Sequence, residues 1–370
     1  MPAFEVLEPA IDPNNRISFL LDWELTMKCN LDCSYCPPGT GHDNSTQHPP
    51  RDECIQALEF MFDYADQYMQ YKPKGLKYVV LNVYGGESLH HPNIVEILSE
   101  IQEKYQPYRD CWHLTVTTTT NAIVSHKKLL QILPYIDEFT VSSHVESSLK
   151  QKQQFKENLL TIQAANKRLK CIVMMHDNPE LFQESQDFLS WLNANQIRLL
   201  AKQIDGTNRS YDQQQIKWFN SEYQSKTYGI SDTIDSDKSA DLSDVGRACC
   251  GGRQTCLDQN YKERQYYIFD NKFSNWYCSV NQFFLFVKQL TGEVYVNKDC
   301  KMRFDGTVGP IGSLSDSASI IDNLKIQLAQ GQDVIQCKKH RCVCGLCAPK
   351  AKNLDTYKSI MKKYQKEYTQ

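Results

Sequence analysis

Three cysteines, Cys29, Cys33 and Cys36, stand in a C-x3-C-x2-C spacing within ELTMKCNLDCSYCPP (24–38), and Tyr35 immediately precedes the last of them. Thiolates are soft ligands that select iron–sulfur clusters or zinc. Three on one loop can hold three irons of a cubane and leave the fourth iron open. A structural zinc site wants four protein ligands, and His48 is near enough in sequence to supply the fourth. The preceding run, ISFLLDWELT (17–26), is largely apolar and reads as a strand that delivers the cysteines onto a loop.

The elements that must position this loop follow in alternation. β-rich runs over 76–86, 112–122, 138–143, 169–176 and 196–204 are separated by helical patterns over 54–70, 93–106, 155–168 and 181–195, with a short helix before 138. Roughly six strands from 17 to 204 alternate with helices, as parallel strands with helical crossovers do. An open doubly wound sheet and a barrel both satisfy this pattern. Polar residues collect at the strand ends: Tyr84-Gly85-Gly86-Glu87-Ser88, Thr117 to Asn121, Ser142-Ser143-His144, and His176. Glycines permit close backbone approach to a ligand, and Glu87 or nearby carbonyls can accept from an ammonium. Cys54, Cys111 and Cys171 lie within helical or strand-like segments and read as small buried hydrophobes.

The cysteine spacing, the aromatic at Tyr35 and the Gly-Gly-Glu segment at the next strand end resemble the radical S-adenosylmethionine (SAM) superfamily. The resemblance implies an α/β fold, a partial (β/α)6 TIM-like barrel with its chemistry at the C-terminal ends of the strands. It implies a 4Fe-4S cluster on Cys29, Cys33 and Cys36, with SAM on the open iron. Tyr35, Gly85, Gly86, Glu87, Asn121 and Ser142 become cofactor-binding candidates, and His144 a catalytic candidate for proton transfer or substrate contact. Ser88 stands where the family's motif has proline. One-electron reduction of SAM would give methionine and a 5'-deoxyadenosyl radical that abstracts hydrogen from a C–H bond, the electron coming from a donor such as flavodoxin or ferredoxin.

Cysteines return from residue 249, at 249, 250, 256, 278, 300, 337, 342, 344 and 347, nine in all. Four zinc ligands could be drawn from these, but nine thiols exceed one tetrahedral site. Between them, 283–300 reads as a hairpin turning at Thr291-Gly292. The arrangement resembles the SPASM or twitch extensions of radical SAM enzymes, which carry two or one auxiliary 4Fe-4S clusters. The expected ligands are Cys250, Cys256, Cys278, Cys300, Cys337, Cys342, Cys344 and Cys347. The match is partial, because seven residues separate Gly292 from Cys300 and the last run is spaced C-x4-C-x-C-x2-C. The expected organisation is an N-terminal extension (1–16), the barrel (17–230), a linker (231–248), a small cysteine-rich auxiliary cluster domain (249–349) and a basic, helical tail (350–370).

Composition bounds the function. The 370 residues carry a net charge of -3, which gives no electrostatic case for nucleic acid, and no long basic aromatic stretch supplies one. No 18-residue apolar run could span a membrane, and MPAFEVLEPAIDPNNR is acidic and lacks the apolar core of a secretion signal. Locally clustered cysteines suit ligands in a reducing cytoplasm better than disulfides. The expectation is oxidative peptide or protein maturation, although little chain precedes residue 17 to bind a leader peptide. Radical modification of a small metabolite or nucleoside, and a noncatalytic metal-stabilised binding protein, are the alternatives.

Overall fold

The alternation is realised in the computed structural model, which describes residues 6–7, 17–36, 43–70, 77–112, 114–204, 211–219, 274–278, 280, 284–297, 303, 307–330, 334–338 and 350–359. In chain order the elements are β1 (Val6–Leu7), β2 (Ile17–Thr26), α1 (Arg51–Gln70), β3 (Lys77–Gly85), α2 (Ile94–Trp112), β4 (Leu114–Thr120), α3 (His126–Ile132), β5 (Glu138–Ser143), α4 (Leu149–Ala164), β6 (Arg168–Met175), α5 (Pro179–Ala194), β7 (Arg198–Gln203) and α6 (Gln213–Lys217). There follow β8 (Tyr277–Cys278), β9 (Phe284–Lys288), β10 (Glu293–Tyr295), β11 (Gly312–Ser313), α7 (Ser317–Ala329), β12 (Ile335–Gln336) and β13 (Lys350–Ala351).

Strands β2 to β7 pair in sequence order, each parallel to the next. This is the six-stranded parallel array of a partial barrel, with helices in the crossovers. Side chains alternate across it as the two-residue period of a strand requires. Phe19, Leu21, Trp23 and Leu25 of β2 are fully buried, and Phe19 packs its ring on Tyr64 and Tyr68 of α1. The opposite face of the same strands is polar: Asn82 donates to Asp22 Oδ1 at 2.8 Å, and Thr117 Oγ1 donates to Asn82 Oδ1 at 3.2 Å. The core therefore lies between sheet and helices, and the polar face lines the inside of the curve.

Helix starts are locally specified. Ser148 and Gln151 form a capping box on α4, while Asn178 caps α5 with Pro179 in its first turn. Helix α2 runs on to Trp112, so β4 starts two residues later than the sequence pattern suggests.

The expected hairpin turns around Gly292 between β9 and β10. Its first strand lies parallel beside β2, giving one nine-stranded sheet in the order β11-β10-β9-β2-β3-β4-β5-β6-β7. Ile320 and Leu324 of α7 join the same hydrophobic core as Phe19 and Trp23. A second, four-stranded sheet has the order β1-β13-β8-β12, and it links Val6–Leu7 near one end of the chain to Lys350–Ala351 near the other. Residues 350–351 of the expected helical tail are thus a strand.

Trp23 joins the two parts of the large sheet. It is fully buried, and its indole N–H donates to Gln289 Oε1 at 2.9 Å, just past the end of β9. Trp23→Ala should therefore lower the unfolding free energy by about 3–5 kcal/mol, read by chemical denaturation. A loss below about 1 kcal/mol would contradict this packing.

Candidate metal and cofactor centre

The cysteine loop leaves β2 at the C-terminal edge of the sheet and is held there by the end of β3. Gly86 N donates to Thr26 O at 2.7 Å, and Glu87 N donates to Lys28 O at 2.8 Å. Side chains cannot be accommodated in this junction. A Cβ on Gly85, whose φ is +151°, would lie 2.0 Å from Thr26 O, and one on Gly86 would lie 2.4 Å from Met27 O. The glycine pair thus lets the backbone that leads into Cys29 lie directly against β3.

Glu87 is completely buried, and its carboxylate accepts from Leu89 N at 3.0 Å, Thr120 Oγ1 at 2.6 Å and Asn121 N at 2.6 Å. Burial pushes this carboxyl above its usual range, against the pull of those three donors. The carboxylate expected to meet an ammonium is therefore engaged in tying the end of β3 to the end of β4. Neighbouring backbone carbonyls, the other acceptors expected here, belong to the same strand end.

Asn121 carries the connection on to the cysteines. Its amide donates to Asn30 Oδ1 at 2.7 Å and approaches Cys29 Sγ at 3.8 Å, while Asn30 Nδ2 donates to Ile123 O at 2.9 Å. Leu31 N points at Cys29 Sγ at 3.4 Å, and Cys29 N donates to Asn44 Oδ1 at 2.9 Å. Burial pushes the Cys29 thiol up to about 11 and the Cys33 thiol up to about 12. Such thiols release their protons when a metal supplies the missing positive charge. N–H donors aimed at sulfur suit a metal-bound thiolate, so the donor set fits an iron–sulfur cluster. His48, the fourth ligand of a zinc reading, instead bonds Thr26 Oγ1 through Nδ1 at 3.1 Å and packs its ring on His91. Among the described residues, no three His, Cys, Asp or Glu side chains converge on a point where one ion could sit.

Tyr35 turns toward the end of β5. Its hydroxyl lies 2.7 Å from His144 Nδ1, and the two rings stack at 5.8 Å. Burial lowers His144 to about 4, so the imidazole is neutral at pH 7. Beside them, Glu146 accepts from Ser34 N at 2.7 Å and Ser34 Oγ at 2.5 Å, and bonds His176 Nε2 at 3.1 Å. Asn178 N donates to His176 Nδ1 at 3.0 Å, which leaves Nε2 as the proton-bearing nitrogen. Burial alone would raise Glu146, but the Ser34 and His176 bonds outweigh it and hold the carboxyl below its usual range. Ser34, Asn30, Asn44 and Glu146 carry no sequence signal of their own, and only the first two adjoin the cysteines in sequence.

Ser142 and His144 line a cavity of about 150 Å³ together with Ile123, Lys152, Phe155 and Phe188. Cys54 and Cys171 are fully buried in the core, in keeping with their reading as hydrophobes. The side chain of Cys111 lies outside the described residues, as do Cys250, Cys256, Cys300, Cys342, Cys344 and Cys347. Cys278 and Cys337 are described and buried, and both belong to the small sheet: Cys278 ends β8, and Cys337 N, just past β12, donates to Trp276 O at 2.9 Å.

Residues 23–161 match the family model described as a 4Fe-4S single cluster domain. No curated protein matches the chain. Among solved structures, the chain is similar to histidine-tagged anSMEcpe with bound AdoMet, at 13% identity and a TM-score of 0.49 over 83% of this chain and 80% of that one. It is also similar to BtrN in complex with AdoMet and 2-DOIA, at 13% identity and a TM-score of 0.35 over 88% and 97% of the two chains. Methylornithine synthase (PylB) matches at 13% identity and a TM-score of 0.31 over 52% and 56%. The cluster-domain match covers the cysteine loop and the ends of β3, β4 and β5.

Two outcomes follow from this geometry. Gly85→Ala should displace the loop, so that reconstituted protein holds about four fewer iron atoms per chain while its helical circular dichroism is retained. A full iron complement would contradict the junction. Because the folded Glu146 pKa lies below its unfolded value, its contribution to stability is fully present above about pH 4.3 and is lost as pH falls through the folded value. Glu146→Gln should therefore flatten the acid limb of a pH–stability curve, and superimposable wild-type and variant curves would exclude the clamp.

Proposed function

We propose that this chain is a radical SAM enzyme that binds SAM beside a 4Fe-4S cluster on Cys29, Cys33 and Cys36 and abstracts hydrogen from a substrate C–H bond. The observation that carries the reading is the junction of the cysteine loop with Gly85-Gly86, which sets a three-thiol loop against a half-buried strand end at one end of a parallel barrel. Bound there with an open iron, such a cluster would supply one-electron reduction of the sulfonium of SAM, the chemistry that yields methionine and a 5'-deoxyadenosyl radical.

The chain's own residues then have separable tasks. Cys29, Cys33 and Cys36 hold the cluster, with Asn121 and Leu31 N directed at the first sulfur. Backbone acceptors at Gly85 and Gly86 offer partners for the methionyl ammonium of SAM. Ser142 and Asn121 stand at the neighbouring strand ends as cofactor contacts. His144, whose Nδ1 lies 2.7 Å from the Tyr35 hydroxyl, is assigned to proton transfer or substrate contact.

For the substrate step, the reading is oxidative peptide or protein maturation. It is supported by the nine cysteines from 249 to 347, of which Cys278 lies on β8 and Cys337 just past the paired β12, and by their likeness to SPASM-type extensions. The electron reaches the protein from a flavodoxin- or ferredoxin-like donor. Radical modification of a small metabolite or nucleoside is the second reading, favoured by the hydrogen-bonded Asp22–Asn82–Thr117 row on the polar inner face of the sheet.

Anaerobically reconstituted, dithionite-reduced protein should release 5'-deoxyadenosine from SAM. Replacing the three loop cysteines with alanine should abolish release while leaving about eight iron atoms per chain on the later cysteines. Undiminished release in that variant would reject the assignment, and zinc without sulfide would reject the auxiliary clusters. Deuterium transfer into 5'-deoxyadenosine from labelled peptides, set against labelled metabolites, separates the two substrate readings.

A further inference from the structure

One hydroxyl, that of Tyr35, makes two contacts, and together they decide how the imidazole beside it is protonated. The hydroxyl lies 2.7 Å from His144 Nδ1, and it is also hydrogen-bonded to the side chain of Cys33, two residues earlier in the loop. Its ring is fixed for this task, stacked on His144 at 5.8 Å and edge-on to His176 at 6.1 Å. The phenol keeps its proton, because burial holds it far above its usual range. His144 is neutral at pH 7 and so has one N–H, on Nδ1 or on Nε2.

A hydroxyl has one proton to give and can accept another in return. A cluster ligand is a thiolate, which accepts only. With the His144 proton on Nε2, the Cys33 sulfur and Nδ1 would compete for the Tyr35 proton, and one contact would lack a hydrogen. With the proton on Nδ1 both contacts are hydrogen bonds, running from His144 Nδ1 to the Tyr35 oxygen and on to Cys33 Sγ. Bonds to a charged acceptor are roughly twice as strong as neutral ones, so the thiolate takes the Tyr35 proton. Bonds in a chain also strengthen one another. Cys29 has Leu31 N and the Asn121 amide directed at its sulfur, and Tyr35 serves Cys33 in the same way.

We propose that in the cluster-loaded protein Tyr35 donates to the Cys33 sulfur and thereby sets His144 in its Nδ1–H tautomer, leaving Nε2 as a proton acceptor. This rests on the radical SAM reading proposed above. Tyr35 is then a positioning residue for both partners. At the cluster it adds a hydrogen bond to a ligand sulfur, one of the factors that set the reduction potential. At His144, which lines the cavity beside β5, it leaves a base and not an acid, the form that removal of a substrate proton needs.

The tautomer is read by NMR on full-length reconstituted protein with nitrogen-15 in its histidine rings and the cluster oxidised. The His144 resonances are those that vanish in His144→Gln. A protonated Nδ1 and a bare Nε2 are expected, and a protonated Nε2 would overturn the inference. An EPR-monitored redox titration of Tyr35→Phe should move the SAM-responsive signal to lower potential, making its reduction at least tenfold less favourable, about 59 mV for one electron. His144→Asn, whose amide can donate from the Nδ1 position, should stay near the wild-type potential, whereas His144→Leu should fall toward that of Tyr35→Phe. An unchanged potential in Tyr35→Phe at wild-type iron and sulfide content would also overturn the inference. If Tyr35→Phe does not hold the cluster, the wild-type tautomer decides alone. Wild-type protein with no SAM-responsive 4Fe-4S signal would instead mark failure of the enzyme reading itself.

Discussion

The close backbone contact between the end of β3 and the start of the cysteine loop is the constraint on which the site depends. Two hydrogen bonds, from Gly86 N to Thr26 O and from Glu87 N to Lys28 O, fix where the loop leaves the sheet. They form only because neither glycine has a Cβ, which at Gly85 would come within 2.0 Å of Thr26 O. Parallel pairing of β2 with β3 brings the two strand ends level, so the contact follows from the sheet register. The same pairing buries Phe19, Leu21, Trp23 and Leu25 against the helices, so the loop is anchored to a fully buried apolar strand.

From that contact, hydrogen bonds run outward through polar groups that are buried at Glu87, Thr120 and Asn121 and exposed at Ser34. Glu87 ties β3 to β4 through Thr120 and Asn121, and Asn121 turns back to Asn30 and Cys29. On the other side of the loop, Glu146 holds Ser34, and Tyr35 meets His144. The cysteine loop is thus held from the ends of β3, β4 and β5. At its buried members, Glu87, Thr120 and Asn121, the network resists rearrangement, because breaking one bond leaves a dry polar group unpaired. Such a loop can keep three thiols in place while one position of a cluster stays open to a small cofactor.

Much of this was legible in sequence because its causes are local. The C-x3-C-x2-C spacing, the Gly-Gly-Glu turn after an apolar run, and the alternation of two- and 3.6-residue periods each lie within a short window. EFTVSS was legible as a strand to its limits, as was ISFLLDWELT. What escaped depends on contacts distant in the chain. Asn30 meets Asn121 across 91 residues and Ser34 meets Glu146 across 112, and neither polar residue differs in type from an ordinary loop residue. The hairpin at 284–295 was visible, but its docking parallel to β2 was not. The continuous apolar run FFLFV, rather than an alternating one, is the sign of a strand buried on both faces. Glu87 shows the reverse case, a residue marked by its motif whose carboxylate proves to be committed to its neighbours.

On the function proposed above, the barrel end is a site where a cluster is completed by a cofactor and not by a fourth side chain. Electron–nuclear double resonance on the reduced protein, mixed with SAM carrying nitrogen-15 at its amino group, tests that claim directly. The expected result is a nitrogen-15 coupling to the cluster spin that disappears when unlabelled SAM is used. A cluster spectrum that SAM leaves unchanged, with no such coupling, would contradict it.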